Sequence, residues 1–140
     1  MKKNMQKIYV YLTFNGNCRE AMSFYRQCLG GELTIQTIGE SPLSENLPNG
    51  IKNIILHATL INENLVLVGT DLVGEEGLVK GNSLSLMLYC SSEKNIKSCF
   101  NKLSDGGKKT QPLIHNHYGV IFGNLIDRYG NNWLLNYYPK

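Results

Sequence analysis

The sequence predicts an α+β fold built from two βαβββ repeats. The first observation is an internal repeat, because residues 11–31 recur without a gap as residues 87–107. The second is a strand-like run of alternating apolar side chains at the start of each copy. The third is a helical apolar stripe that follows each strand and is followed by a Gly-Gly pair. The matched residues, each 76 positions apart, are Leu12 and Leu88, Phe24 and Phe100, and Gly30-Gly31 and Gly106-Gly107.

Length and composition favour one domain. At 140 residues we expect a single domain over 1–140, with halves at about 7–71 and 83–138 joined by a glycine-rich connector at about 72–82. The net charge of +3 leaves no basic excess that would attract nucleic acid. The four cysteines show no CxxC spacing, which suits a reducing compartment. No secretory signal and no apolar run of about 18 residues is present, so we expect a cytoplasmic protein with no membrane partner.

The first half begins with a strand predicted over residues 7–14, whose side chains alternate between two faces. We expect Asn17 to cap the following helix with its side chain, because Glu20 follows three residues later. Gly30-Gly31 then ends the helix. One strand face carries Val10, Leu12 and Phe14 and the other carries Tyr9, Tyr11 and Thr13; the helix stripe is Ala21, Phe24, Tyr25, Cys28 and Leu29.

The remaining elements repeat this order. Loop 39–50 contains Pro42 and Pro48 and is long enough to cover a site. In the second half, Ser91-Ser92 starts a helix with the apolar stripe Ile96, Cys99, Phe100 and Leu103. The predicted strands are 33–38, 51–61, 65–70, 83–89, 108–112, 120–126 and 132–138, with turns at 62–64 and 127–130.

Three segments, FNGNCREAMSFY, LGG and GNLIDRYGNNWLLN, resemble the vicinal oxygen chelate superfamily, and most closely its PhnB-like branch. This superfamily includes glyoxalase I, extradiol dioxygenases, and bleomycin and fosfomycin resistance proteins. The resemblance covers nearly the whole chain. It implies one glyoxalase-like domain whose curved mixed sheets enclose a cavity, and it implies a homodimer.

Metal enzymes of the superfamily hold a divalent cation with a His or Gln on the first strand and a Glu on the last strand of each half. The matching positions are Tyr9 and Ser85 on the first strands and Leu134 on the last. If Leu65 and Trp133 are equivalent residues of the two hairpins, then Val66 is the counterpart of Leu134 and the fourth position. None of these side chains is an imidazole or a carboxylate, so we expect no metal at the usual site and no cofactor.

Four other residues could carry chemistry. His57 lies in an apolar strand, and two interpretations stay open: a hydrogen-bonded core histidine, or a ligand-binding or proton-transferring group. His115 and His117 form an H-x-H that we place in a polar loop after Pro112. Asp71 ends a strand and is expected to be solvated. The catalytic residues are unknown, because no nucleophile elbow, phosphate-binding loop or GxGxxG is present.

The strand faces opposite the helices form the predicted ligand site. They are aromatic with a few hydroxyls, a lining that suits planar organic molecules. We expect a metal-free protein that binds a small organic ligand, for example a toxin or antibiotic that it sequesters. The alternative is a superfamily isomerase, lyase or dioxygenase with an atypical metal site at His57, Asp71, His115 or His117. The predicted lining is Tyr9, Tyr11, Thr13, His57, Val66, Val68, Ser85, Met87, Tyr89, Leu134 and Asn136, with Tyr138 beside them.

Overall fold

A computed structural model describes residues 6–41 and 48–139. The chain divides into two compact units, Met1–Leu78 and Val79–Lys140. The boundary between them lies inside the connector that the sequence predicts at 72–82. Within the described residues, no helix is both long and apolar enough to cross a membrane.

The first unit contains four strands and one main helix in the predicted order. They are β1 (Val10–Thr13), α1 (Cys18–Leu29), β2 (Glu32–Thr37), a 3-10 turn (Ile38–Glu40), the short helix α2 (Asn49–Lys52), β3 (Ile55–Asn62) and β4 (Leu65–Thr70). The strand order in the sheet is β1-β4-β3-β2. Strands β1 and β4 are parallel, and the other neighbours are antiparallel.

The second unit repeats this topology. Its elements are β5 (Leu86–Tyr89), α3 (Glu93–Ser104), β6 (Lys108–His115), β7 (Ile121–Ile126) and β8 (Asn132–Tyr137). The strand order is β5-β8-β7-β6, again with one parallel pair, β5 and β8. The predicted α+β class and the repeat of strand, helix and three strands are confirmed. Each sheet stays open rather than closing into a barrel.

Each unit has its own core between one sheet face and one helix. Phe24 is 8% exposed and Phe100 is 2% exposed, so both predicted anchors are buried. Tyr11, in contrast, is 54% exposed, and it lies on the strand face opposite the helix. The predicted assignment of the two strand faces is therefore correct.

The two helices align one residue away from the predicted offset. Helix α1 begins at Cys18 and α3 begins at Glu93, a separation of 75 rather than 76. Burial follows the same shift, because the fully buried Tyr25 matches Phe100 and Phe24 matches Cys99. Asp105 then adds one residue before Gly106, which restores the offset of 76 at the Gly-Gly pair. The pairing of Phe24 with Phe100 as equivalent positions is thus wrong, although both are core residues.

The N-terminus of α1 is capped by a residue that the sequence did not suggest. Asn17 precedes the helix but its side chain makes no capping hydrogen bond. Instead, Asp71 Oδ1 accepts hydrogen bonds from Gly16 N and Cys18 N, both at 3.0 Å. A carboxylate at a helix N-terminus also interacts favourably with the helix dipole. The expectation of a solvated Asp71 is wrong, because this side chain joins the end of β4 to the start of α1.

Among the described strands only β4 has the predicted bounds, and β1 and β5 each begin three residues later than predicted, at Val10 and Leu86. Strand β3 begins at Ile55 rather than Ile51, because residues 49–52 form a helical turn that Pro48 precedes. Strand β6 continues past Pro112 to His115 instead of ending at 112. Proline fits here because β6 is an edge strand and its pairing register shifts between Gln111 and Ile114. Pro42 and the middle of loop 39–50 lie outside the described residues.

Candidate functional site

The outer face of the first sheet, the face opposite α1, carries the predicted residues of the first unit. Val68 pairs with Tyr11 on one side and with Thr59 on the other. Gly69, the next residue, points to the helix, because a Cβ there would meet Cys18 and Met22 of α1. The alternation therefore places Val66 and Val68 on the outer face with Tyr11. Tyr9 precedes β1 and is 53% exposed.

A ring contact between Tyr11 and His57 is the most specific feature of this face. Their ring centroids are 6.0 Å apart with an interplanar angle of 73°, an edge-to-face arrangement. His57 is exposed and pairs with Gln36, while the adjacent Ala58 is fully buried on the helix side. The interpretation of His57 as a core histidine is wrong. Its side chain is instead exposed on the outer face of the sheet.

The outer face of the second sheet carries the predicted residues of the second unit. Met87 pairs with Leu134, and Tyr89 pairs with Asn136. Met87 and Tyr89 are 51% and 65% exposed. The Tyr89 and Tyr138 rings lie 5.9 Å apart. This face therefore carries apolar and aromatic side chains together with the amide of Asn136, and Ser85 is exposed just before β5.

The predicted lining missed several residues of the outer faces, among them Thr59, Phe122 and Asn124. Thr59 lies between Val68 and Thr34 in the first sheet. Phe122 and Asn124 lie beside Asn136 and Leu134 in the second sheet. The positions of Phe122 and Asn124 could have been predicted from the alternation of β7. Ile121 and Leu125 are buried, so Phe122 and Asn124, at the alternate positions, point the other way.

The four positions at which the resemblance implies metal ligands do not fit a cation here. The strand pairing corrects the predicted first-half counterpart of Leu134. Leu12 and Leu88 are equivalent residues, and they pair with Gly69 and Leu135, so Gly69 and Leu135 are equivalent as well. Trp133 therefore corresponds to Leu67 rather than Leu65, and Val68 replaces Val66 as the counterpart of Leu134. An isopropyl side chain at either position offers no donor atom. Tyr9, Ser85, Val68 and Leu134 together provide no imidazole or carboxylate.

The donors suggested for an atypical metal site are not gathered into a cluster. Within the described residues, no group of three or more His, Cys, Asp or Glu side chains is placed to hold a metal ion. His115 ends β6 rather than lying in a loop. His117 lies in the turn that follows, and its ring centroid is 4.2 Å from that of Tyr118. Asp71 Oδ1 already accepts two backbone hydrogen bonds at α1.

The sequence matches one protein family over nearly its full length. Residues 6–136 match the family described as 3-demethylubiquinone-9 3-methyltransferase. Protein PA1353 from Pseudomonas aeruginosa is 34% identical, with a TM-score of 0.81, and the similarity covers 97% of this chain and 100% of that one. A PhnB protein from Bacillus cereus, a candidate 3-demethylubiquinone-9 3-methyltransferase, is 27% identical with a TM-score of 0.74, covering 94% and 99% of the two chains.

A more distant structure identifies the fold. A glyoxalase/bleomycin resistance protein/dioxygenase family enzyme from Burkholderia phytofirmans has a TM-score of 0.62 at 13% identity, covering 94% of this chain and 97% of that one. At this identity the likeness concerns the fold alone. The chain belongs to the PhnB-like family described as 3-demethylubiquinone-9 3-methyltransferase, and its fold is that of the glyoxalase/bleomycin resistance/dioxygenase proteins.

Proposed function

We propose that this protein binds a small organic ligand with a planar ring on its aromatic outer sheet faces, without a metal ion. The observation that carries the proposal is the Tyr11–His57 ring pair, which is exposed on the outer face of the first sheet. Contiguous exposed apolar patches often mark ligand-binding sites, and a flat ligand can stack on an aromatic pair.

The chemistry around the ring pair suits such a ligand. Val66 and Val68 provide apolar contact beside Tyr11, and Thr13 and Thr59 provide hydroxyl groups on the same sheet. The His57 imidazole can donate or accept a hydrogen bond, depending on its tautomer. A ligand with a flat apolar body and one or two carbonyl or hydroxyl groups would satisfy both kinds of contact.

The family description suggests one such ligand class. Demethylubiquinone contains a planar quinone ring with carbonyl and hydroxyl substituents, and this chemistry matches the apolar and polar groups of the outer face. Quinone-like rings are therefore the first compounds to test, followed by planar toxins and antibiotics that the protein would sequester. Sequestration needs only binding, so it requires no catalytic residue.

The cellular location, the number of domains and the oligomeric state are proposals as well. We infer a cytoplasmic protein of one domain that forms a homodimer, since exposed apolar side chains outside the proposed ligand lining, Ile8, Val79 and Leu84, leave apolar surface available to a second copy. Sedimentation equilibrium at tens of micromolar protein tests the dimer. A monomer mass throughout that range would contradict it.

A thermal-shift screen tests ligand binding. The panel contains short-chain ubiquinone analogues, flavonoids and planar antibiotics, measured on the unmodified protein, Tyr11→Ala, His57→Ala and Tyr118→Ala. Tyr118→Ala is a matched control, because it also removes an exposed tyrosine that contacts a histidine, but in a turn rather than on a sheet face. We expect at least one compound to raise the Tm of the unmodified protein and of Tyr118→Ala but not of Tyr11→Ala. A panel in which no stabilisation depends on Tyr11 would contradict the proposal.

A further inference from the structure

The second unit buries two thiols beside each other. Cys90 follows the last residue of β5, and Cys99 lies in the second turn of α3. Their exposed fractions are 9% and 7%, so each is mostly covered but not sealed from solvent. Cys90 shares the strand alternation of Leu88 and therefore faces the helix side of the sheet. The pair is thus separate from the proposed ligand face.

Hydrogen bonds hold the two cysteines in place. Cys90 N donates to Asn136 O at 2.8 Å, which fixes the end of β5 against β8. Asn95 connects the two segments, because its Oδ1 accepts from Ser91 N at 3.0 Å while its Nδ2 donates to Cys99 Sγ at 3.6 Å. Ser92 caps the helix by accepting from Asn95 N at 3.0 Å, so the first turn that carries Asn95 is itself well defined.

The two thiols are chemically unequal. The side chains of Cys90 and Cys99 interact with each other, and this interaction lowers the pKa of Cys99 while it raises the pKa of Cys90. Asn95 also donates to the Cys99 sulfur and favours its thiolate. Cys18 provides a contrast, because burial raises the pKa of its thiol to about 12. Cys99 therefore has the character of an attacking thiolate and Cys90 that of its partner.

We propose that Cys90 and Cys99 form a reversible intramolecular disulfide when the protein reacts with a hydroperoxide. The Cys99 thiolate attacks the terminal peroxide oxygen, the O–O bond breaks, and the alkoxide leaves as an alcohol after protonation. The Cys99 sulfenic acid is then attacked by the Cys90 sulfur, which loses its proton as the S–S bond forms and one water leaves. Two thiols are oxidised and one hydroperoxide is reduced, so the electrons balance.

Peptide mapping of the unmodified full chain tests the disulfide. The protein is treated with stoichiometric hydrogen peroxide, free thiols are alkylated, and trypsin is added without reductant. Cleavage after Lys80, Lys94, Lys97 and Lys102 separates the two cysteines into peptides 81–94 and 98–102. We expect a cross-linked pair of these two peptides that is two hydrogen atoms lighter than their sum and that disappears with dithiothreitol. Cys18 and Cys28 should remain alkylated as free thiols.

Three variants assign the roles of the two sulfurs. Cys99→Ser should lose the rapid reaction with hydrogen peroxide, with a rate at least about tenfold lower. Cys90→Ser should keep that reaction but stop at a sulfenic acid that dimedone traps. Cys28→Ser, a buried cysteine of α1, is the control and should behave like the unmodified protein. Recovery of peptides 81–94 and 98–102 only as separate alkylated or overoxidised species would overturn the proposal, as would cross-links between different chains. The peptide mapping uses only the unmodified protein, so its result does not depend on whether a variant folds.

Discussion

The backbone of Gly31 lies directly against the carbonyl oxygen of Ile61. A Cβ atom added to Gly31 would stand 2.5 Å from Ile61 O. The second unit repeats this contact, because a Cβ on Gly107 would collide with Ile126 O. Ile61 and Ile126 occupy equivalent positions in β3 and β7, as the pairing of each strand with its neighbour shows. The second glycine of each Gly-Gly pair is therefore required by the close approach of strand backbone.

Gly31→Ala should destabilise the protein more than Gly16→Ala. Both glycines have a positive φ, 104° and 91°, so both variants incur the cost of a side chain in that conformation, about 1–2 kcal/mol. Nothing lies within 4 Å of a Cβ at Gly16, whereas Gly31 meets Ile61 O. We expect Gly31→Ala to lose a further 1–3 kcal/mol, roughly, in the free energy of unfolding measured with urea. Equal losses would show that the approach to Ile61 is unimportant.

Asp71→Ala should destabilise the first unit, and Asn17→Ala should not. Asp71 accepts hydrogen bonds from Gly16 N and Cys18 N, while the Asn17 side chain caps nothing. Loss of a helix cap costs about 0.5–2 kcal/mol, and the carboxylate adds its interaction with the helix dipole. Urea unfolding followed by circular dichroism measures both variants. If Asn17→Ala were the more damaging change, the cap would be assigned to the wrong residue.

Trp133→Phe should weaken the turn between β7 and β8. Trp133 Nε1 donates to Asp127 Oδ2 at 2.8 Å, and Asp127 is only 2% exposed. Removing a donor to a buried carboxylate costs about 1.5–3 kcal/mol. Asp105→Asn is the control, since it alters the exposed Arg128–Asp105 ion pair, whose expected contribution is about 0–1 kcal/mol. Urea unfolding followed by circular dichroism compares them, and a smaller effect for Trp133→Phe would be contrary to this interpretation.

Phe24→Ala and Phe100→Ala should each reduce the free energy of unfolding by about 3–5 kcal/mol. Both rings are buried against their own sheet, and Phe100 also approaches Gly123, whose Cβ position lies 2.9 Å from the Phe100 ring. Tyr11→Ala removes a ring that is 54% exposed and should cost much less. Chemical denaturation of the three variants checks this order. A Tyr11→Ala loss as large as the two phenylalanine losses would place Tyr11 in the core.

The sequence alone was sufficient for the fold class, the strand order along the chain and the strand faces. These features follow from the alternation around Leu12 and from the helical stripe that contains Phe24, both of which are local patterns. The offset of 76 was misleading inside the helix, because the loop before α3 is one residue shorter than the loop before α1 and Asp105 compensates later. A change in loop length that cancels over the repeat leaves no trace in an ungapped comparison.

Parts of the site depend on contacts between distant residues, and these were not predictable. Asp71 lies more than 50 positions from the helix that it caps, so the nearer Asn17 was the natural assignment. The counterpart of Leu134 depends on the register of β4, which makes Val68 rather than Val66 the equivalent residue. The exposure of His57 depends on the pairing of β3 with two neighbouring strands, and an apolar sequence context gives no indication of it.

The central claim is that a planar ligand binds the outer face around Tyr11 and His57, and amide chemical-shift mapping tests it most directly. The uniformly 15N-labelled protein is titrated with the screened compound that gives the largest Tyr11-dependent stabilisation. We predict that the largest shifts fall on Tyr11, His57, Thr59, Val66 and Val68, and that they saturate together with one dissociation constant. Shifts confined to α1, or no saturable shifts on the first sheet, would contradict the assignment of this face as the binding site.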